Sequence, residues 1–309
     1  MVSFLKLIRY KNLLMVLLTM VLTKYTLINS FVNQSVLSNS QFIILVFSVI
    51  CITAGGYIIN DIFDIEADKI NKPKKVFIEK TISKKNAWKT YLVLNFIGFI
   101  LGVFLSNEVN SFILFLIFFF SIQVLFIYSS YLKKQILIGN FTISFFISLS
   151  IVLVYFLRPL NNDSNLNIWE LFGDSMGYSV SILITITYVV FSFLTTLIRE
   201  IIKDIEDING DLKINAKTLP IVFGRKRANR VAFTFSVLLL ILLIIILKSF
   251  LIEYPLFLGY SIIFILLPLL YFMHKLWNAT SKKQYSYLSK LMKLIMFFGI
   301  LSMLFFKFI

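Results

Sequence analysis

Two short stretches of this sequence concentrate oxygen ligands. The first reads Asn60-Asp61-Ile62-Phe63-Asp64-Ile65-Glu66-Ala67-Asp68, and the second Asp204-Ile205-Glu206-Asp207-Ile208-Asn209-Gly210-Asp211. Both contain D-x-x-D-x-x-x-D, and Asp61, Asp64 and Asp68 precede Asp204, Asp207 and Asp211 by the same 143 residues. On an α-helix turning about 100° per residue, Asn60, Asp61, Asp64 and Asp68 fall within roughly a 100° arc, and Asp204, Asp207 and Asp211 within roughly 60°. Each stretch therefore predicts one acidic stripe. Carboxylates three and four residues apart repel one another by about 0.3 kcal/mol per exposed pair, and by more where water is excluded. A bound cation relieves that repulsion. Mg²⁺ takes hard oxygen ligands and is usually shared between one or two carboxylates and substrate phosphates. Two facing stripes thus predict a diphosphate held through Mg²⁺, with the six aspartates as the groups that carry the chemistry. One isolated cluster would fit a solvated loop offsetting its lysines equally well; the repeated spacing favours a site.

A departing diphosphate gathers negative charge and calls for cations nearby. Arg9, Lys133, Lys134, Arg199 and Lys203 are the candidates, because each falls beside a predicted helix end on the same side as the acidic stretches. Membrane anchoring competes with that role for each of them, as does pairing with Glu200 and Asp204 for Arg199 and Lys203. Lys72, Lys74, Lys75, Lys84 and Lys85 are read as anchors. His274 is the sole histidine and Cys51 the sole cysteine, which leaves Ser/His catalysis and paired-cysteine metal sites without support.

The elements that must position these residues are membrane helices. Of the 309 residues 59% are hydrophobic and 15% charged, against about 25% charged in a soluble domain. Apolar runs near the roughly 20 residues needed to cross a bilayer predict nine helices. They lie at about residues 13–28, 42–59, 89–105, 111–128, 136–157, 178–198, 231–247, 255–273 and 291–306. The fold class is therefore all-α, a polytopic bundle in a single domain over residues 1–309. Lys6, Arg9 and Lys11 before the first run resemble a signal peptide, but no small-residue cleavage site follows, so this run is read as a retained helix. Of the 30 Lys and Arg residues, 26 fall on one side of this arrangement; only Lys24, Arg158, Lys248 and Lys307 fall on the other. Basic residues accumulate on the cytoplasmic side, which predicts a cytoplasmic N-terminus and acidic site and an external C-terminus in a cell membrane. Trp88, Trp169 and Trp277 fall at or beside helix ends, where indole favours the headgroup layer. The net charge of +15 suits anionic lipid heads, and no nucleic-acid partner is expected. The 143-residue offset reads as a parallel internal repeat.

Asn60 to Asp68 resembles the N-D-x-x-D-x-x-x-D motif of the UbiA superfamily of intramembrane prenyltransferases, and Asp207 to Asp211 its second D-x-x-x-D motif. Arg9 and Asn12 are similar to its R-x-x-N entry to the first helix. Tyr128-Ser129, Leu132-Lys133 and Gly139-Asn140 match its fourth-loop pattern, and Lys217-Thr218-Leu219-Pro220 with Gly224 follows the second motif as in the family. The resemblance implies a nine-helix bundle around a central cavity, open sideways to lipid for the prenyl chain. It implies Mg²⁺ between diphosphate and protein, with Asn60, Asp64, Asp68, Asp207 and Asp211 as metal ligands. Arg9, Asn12, Asn60, Lys133, Lys134, Asn140, Arg199 and Lys203 are the expected substrate-binding residues. The partners expected are a polyprenyl diphosphate donor, a lipid-soluble acceptor and membrane lipid.

The lead Arg199-Glu200-Ile201-Ile202-Lys203-Asp204-Ile205-Glu206-Asp207 is most similar to the branch that builds ether lipids by moving a geranylgeranyl group onto geranylgeranylglyceryl phosphate. The alternative is transfer to an aromatic acceptor in quinone or haem biosynthesis. The departure from the family lies at Asn71-Lys72-Pro73-Lys74-Lys75-Val76, where the usual Arg-Pro pairs and the following Pro-Ser-Gly are missing. A cation transporter is the rival from another class; it is weaker because the carboxylates sit at one membrane edge beside basic residues and not at the midplane.

Overall fold

The computed structural model describes residues 2–28, 30, 37–73, 76–156, 176–250 and 254–308; Lys74, Lys75, Arg158 and Trp169 lie outside them. In chain order the helices are α1 (Val2–Leu7), α2 (Tyr10–Leu22, continued by a wider turn over Thr23–Ile28), α3 (Asn39–Phe63), α4 (Ile65–Asn71), α5 (Lys84–Glu108), α6 (Phe112–Ser130) and α7 (Ile138–Phe156). Then follow α8 (Met176–Lys213), α9 (Leu219–Phe223), α10 (Arg225–Phe250), α11 (Pro255–Ser261, continued by a wider turn over Ile262–Leu266), α12 (Leu267–Trp277) and α13 (Lys282–Leu301). Among the described residues nine helical segments are long and apolar enough to cross a membrane, at the nine places where the apolar runs predict them. Many large apolar side chains point outward, Leu256 at 81% and Phe112 at 71% exposure among them, as expected where lipid takes the place of water.

Two compact units divide the chain: Met1–Leu132 with Leu149–Tyr188, and Lys133–Ser148 with Val189–Ile309. The first acidic stretch belongs to the first unit and the second stretch to the second.

In the first unit α3 opens on a reciprocal cap. The Ser38 hydroxyl accepts from the Gln41 backbone N–H at 3.2 Å, and the Gln41 side chain accepts from the Ser38 N–H at 3.0 Å. Two of the donors that a helix start leaves unpaired are satisfied in this way. Lys24 is buried and ties the end of α2 to this start, donating to the Leu37 carbonyl at 2.9 Å and to Asn39 Oδ1 at 3.1 Å. Further along, α3 lies against α5 through small residues. A Cβ on Gly98 would come within 2.8 Å of Ile52 and 3.1 Å of the Ser48 carbonyl, and the Ser48 hydroxyl donates to the Gly98 carbonyl at 2.6 Å. Lipid tails are as apolar as leucine, so such close backbone approach and interhelical hydrogen bonds hold membrane helices together. Leu7, Ile58, Ile59, Ile62, Ile65, Ile78, Ala87 and Tyr91 form a core directly beneath the acidic stretch. Trp88 caps it, edge-on to Tyr91 at 5.7 Å and to Phe63 at 6.3 Å.

In the second unit the core gathers around one face of α8. Leu197, Ile198, Ile201, Ile202, Ile205 and Ile208 recur every three or four residues and pack with α10, α12 and α13 residues such as Ala228, Phe272 and Met292. That stripe sets the rotation of α8, and with it the direction in which its charged residues point. α8 runs on to Lys213, well past the predicted end near 198, because the amphipathic part beyond the apolar run still has a core to pack on. Trp277 is the last residue of α12 and is exposed, as a headgroup-layer indole would be.

Candidate functional site

In the first unit the acidic stretch is two helices and not one. α3 ends at Phe63, Asp64 adopts φ −93°, ψ 1°, and α4 begins at Ile65. These angles lie in the sparsely occupied bridge region where active-site residues often sit. Backbone bonding still runs through the bend, with Asp64 N–H donating to the Asn60 carbonyl at 2.9 Å and Asp68 N–H to the Asp64 carbonyl at 2.8 Å. The single uninterrupted stripe expected over residues 60–68 is therefore bent at its central carboxylate. Asp64 is buried at 6% exposure and accepts from the Asn60 side-chain amide at 2.9 Å. The Asn60 side-chain oxygen is buried and has no hydrogen-bond partner among the described residues.

Arg9 brings a cation to this half from the entry to the first span, where the sequence places it. It occupies the break between α1 and α2 with φ 51° and ψ 52°, a left-handed conformation that costs a non-glycine residue about 1–3 kcal/mol. Its carbonyl accepts from Asn12 N–H at 2.7 Å, so the R-x-x-N pair closes the first turn of α2. Its guanidinium donates to Asp61 at 2.7 Å and lies 5.0 Å from the centre of the Tyr57 ring. Desolvation works against that charge. The carboxylates of Asp61 and Asp64, with the hydrogen bond to Asp61, more than offset it, and the Arg9 pKa is raised. Tyr57 was not legible as part of this group, although it stands one helical turn before Asp61.

In the second unit Asp204, Asp207 and Asp211 lie on one unbroken helix. Asn140, from the start of α7, donates its side-chain amide to Asp204 at 2.8 Å. Lys133 and Lys134 lie in a single tight turn, Leu132–Lys134, and the Lys134 carbonyl accepts from the Lys217 N–H at 2.7 Å. The Lys-Thr-Leu-Pro segment is thereby fastened to that turn, and α9 after it ends at Gly224, whose φ of 84° only glycine adopts easily. Arg199 and Lys203 converge on one acceptor, Glu200, at 2.8 Å and 2.7 Å. Pairing with Glu200, the competing role expected for both cations, is what forms; Glu200 stands four residues before Asp204.

Among the described residues no three His, Cys, Asp or Glu side chains gather closely enough to hold a metal ion by themselves. An ion shared with a substrate phosphate needs fewer protein ligands. The donor set fits a hard cation, being all oxygen, with a buried amide oxygen at Asn60 open to one more partner.

An all-α membrane protein with nine candidate spans among the described residues and two acidic motifs, each placed at a helix end or on a helix running out of the apolar run, has the build of an intramembrane transferase acting on a charged head with a lipid tail. Residues 13–301 match the model of the UbiA prenyltransferase family, and the chain belongs to that family. A digeranylgeranylglyceryl phosphate synthase of Methanosphaera stadtmanae is 32% identical over 267 residues, covering 85% of this chain and 87% of the relative. A solved chain from work on digeranylgeranylglyceryl phosphate synthase in membranes superposes with a TM-score of 0.61 at 27% identity, covering 98% of this chain and 96% of that one. A UbiA homologue of Archaeoglobus fulgidus, solved with DMAPP and Mg²⁺, has the same fold with a TM-score of 0.56 at 15% identity, covering 97% of this chain and 99% of that one.

Proposed function

We propose that this prenyltransferase moves a geranylgeranyl group from geranylgeranyl diphosphate to geranylgeranylglyceryl phosphate, forming the ether bond of a membrane lipid. The observation that carries the reading is the extent of the match to relatives named for that product, 85% of the chain in one case. Mg²⁺ would be held by Asn60, Asp64 and Asp68 of the first motif and by Asp207 and Asp211 of the second; when bound it supplies charge neutralisation for the diphosphate. The chain's own residues do the rest. Arg9, held by Asp61 and Tyr57, offers a fixed cation to the departing diphosphate. As the carbon–oxygen bond breaks, its electron pair leaves with the diphosphate; the allylic cation is captured by the glycerol hydroxyl in a water-poor site, and the hydroxyl proton passes to the released diphosphate. The second motif carries the charge for the acceptor. A glyceryl phosphate brings its own dianion, and on the same helix Arg199 lies a little over one turn before Asp204 and Lys203 directly before it. The basic-residue asymmetry supports a cytoplasmic N-terminus.

The test is product analysis. Membranes holding the chain, given geranylgeranyl diphosphate with either geranylgeranylglyceryl phosphate or an aromatic acid, should yield the digeranylgeranyl ether in the first case and no product in the second. Prenylation of the aromatic acid alone overturns the acceptor assignment.

A further inference from the structure

Helix α8 carries a compact charged group beside its aspartates. Glu200 extends one carboxylate oxygen to the Arg199 guanidinium at 2.8 Å and the other to the Lys203 ammonium at 2.7 Å. All three side chains are largely withdrawn from solvent, at 12% exposure for Glu200, 21% for Arg199 and 25% for Lys203. Neighbours one apart on a helix do not ordinarily face each other, so the Arg199–Glu200 contact means that the guanidinium is folded back across the helix. The Arg199 Nε is buried and has no hydrogen-bond partner among the described residues. A buried donor left in that state is costly, and an incoming acceptor oxygen would relieve it.

We propose that Glu200 is a positioning residue that holds Arg199 and Lys203 in place for the phosphate of the acceptor, a deepening that rests on the glyceryl phosphate reading above. Counted over these three side chains, one carboxylate shared by two cations leaves one positive charge, suited to a phosphate, with Asp204 the carboxyl directly after Lys203. It also fixes two long side chains that would otherwise lose rotamer freedom on binding. Its two oxygens are both occupied by cations, which makes Glu200 a poor base for the acceptor hydroxyl. The apolar stripe of α8 holds the backbone beneath it, since Ile198, Ile201 and Ile202 are fully buried.

Replacing the carboxylate by an amide separates positioning from plain charge neutralisation. In Glu200→Gln the group gains one unit of positive charge, so a role in neutralisation alone predicts tighter acceptor binding, whereas a positioning role predicts weaker binding. The purified full chain is assayed with geranylgeranyl diphosphate and geranylgeranylglyceryl phosphate, each varied at saturating levels of the other. The expected result is an acceptor KM raised about tenfold with donor KM changed less than about twofold, and Glu200→Asp recovering part of the loss. An acceptor KM that falls or stays put overturns the proposal. So does a fall in kcat at unchanged acceptor KM with an altered pH profile, which would make Glu200 a base. Equal rises in both KM values with a lowered melting temperature would show a merely structural residue and overturn it too. If the wild-type chain itself ignores the phosphorylated acceptor, the functional reading and the Glu200 role both fail; if it uses that acceptor and Glu200→Gln does not respond, only the Glu200 role fails.

Discussion

The two acidic motifs share one spacing and differ in almost everything else. In the first, the helix bends at Asp64 and the cation arrives from another element, with Arg9 held 2.7 Å from Asp61 across 52 residues of sequence. In the second, α8 runs straight through all three aspartates, and its cations come from the same helix, gathered by Glu200 within four residues. The difference teaches that repeated ligand spacing does not imply repeated duty. A bend with a separate, strained cation can present several groups to one highly charged head, whereas a straight helix can only offer what its own register allows. On the function proposed above, the first motif would serve the departing diphosphate and the second would add a place for the acceptor's phosphate.

The largest effect expected is common to both motifs and would break the comparison if it appeared in only one. Asp64→Asn and Asp207→Asn should each lower transfer by about a thousandfold or more, since an amide is a weak ligand for a hard cation. The measurement is initial rate across a Mg²⁺ titration, with circular dichroism to verify folding. Near-normal activity in either variant would show that its carboxylate is not a ligand.

A smaller and more telling pair is Arg9→Met against Arg199→Met. The former should cut transfer about a hundredfold with the loss in donor use, and the latter should fall mainly on acceptor KM. Identical kinetic signatures for the two would remove the division of labour between the motifs.

Asn140→Ala sharpens the comparison at the lowest magnitude. It deprives Asp204 of its 2.8 Å donor and, if Asp204 supports the ligands Asp207 and Asp211 on the same helix, should cost about 10-fold in activity or Mg²⁺ affinity. A loss confined to Mg²⁺ affinity and recovered at high Mg²⁺ is the expected pattern. An unchanged Mg²⁺ response would take Asp204 out of the metal-binding chemistry.

Much of this protein was legible without coordinates. A bilayer imposes a minimum apolar length on each span, so nine segments stand out from composition alone, and the family could be named from Asn60 to Asp68, Asp207 to Asp211 and the Arg9–Asn12 entry. The ends of the spans were not legible. Hydrophobicity stops at the edge of the hydrocarbon, but backbone bonding does not, and α8 continues to Lys213 on the strength of its packed stripe.

The sequence by itself determined the class, the membrane-spanning segments and the two acidic motifs, because chain length in lipid, charge and motif spacing are properties of order along the chain. Only the tertiary structure decided that Asp64 bends the first motif, that Arg9 adopts a left-handed backbone to meet Asp61 and Tyr57, that Asn140 serves Asp204, and that Arg199 and Lys203 share Glu200. A charged side chain near lipid has several partners within reach, and which one it takes depends on the rotation of the packed helix that carries it and on what lies beside it in space, neither of which is a property of spacing.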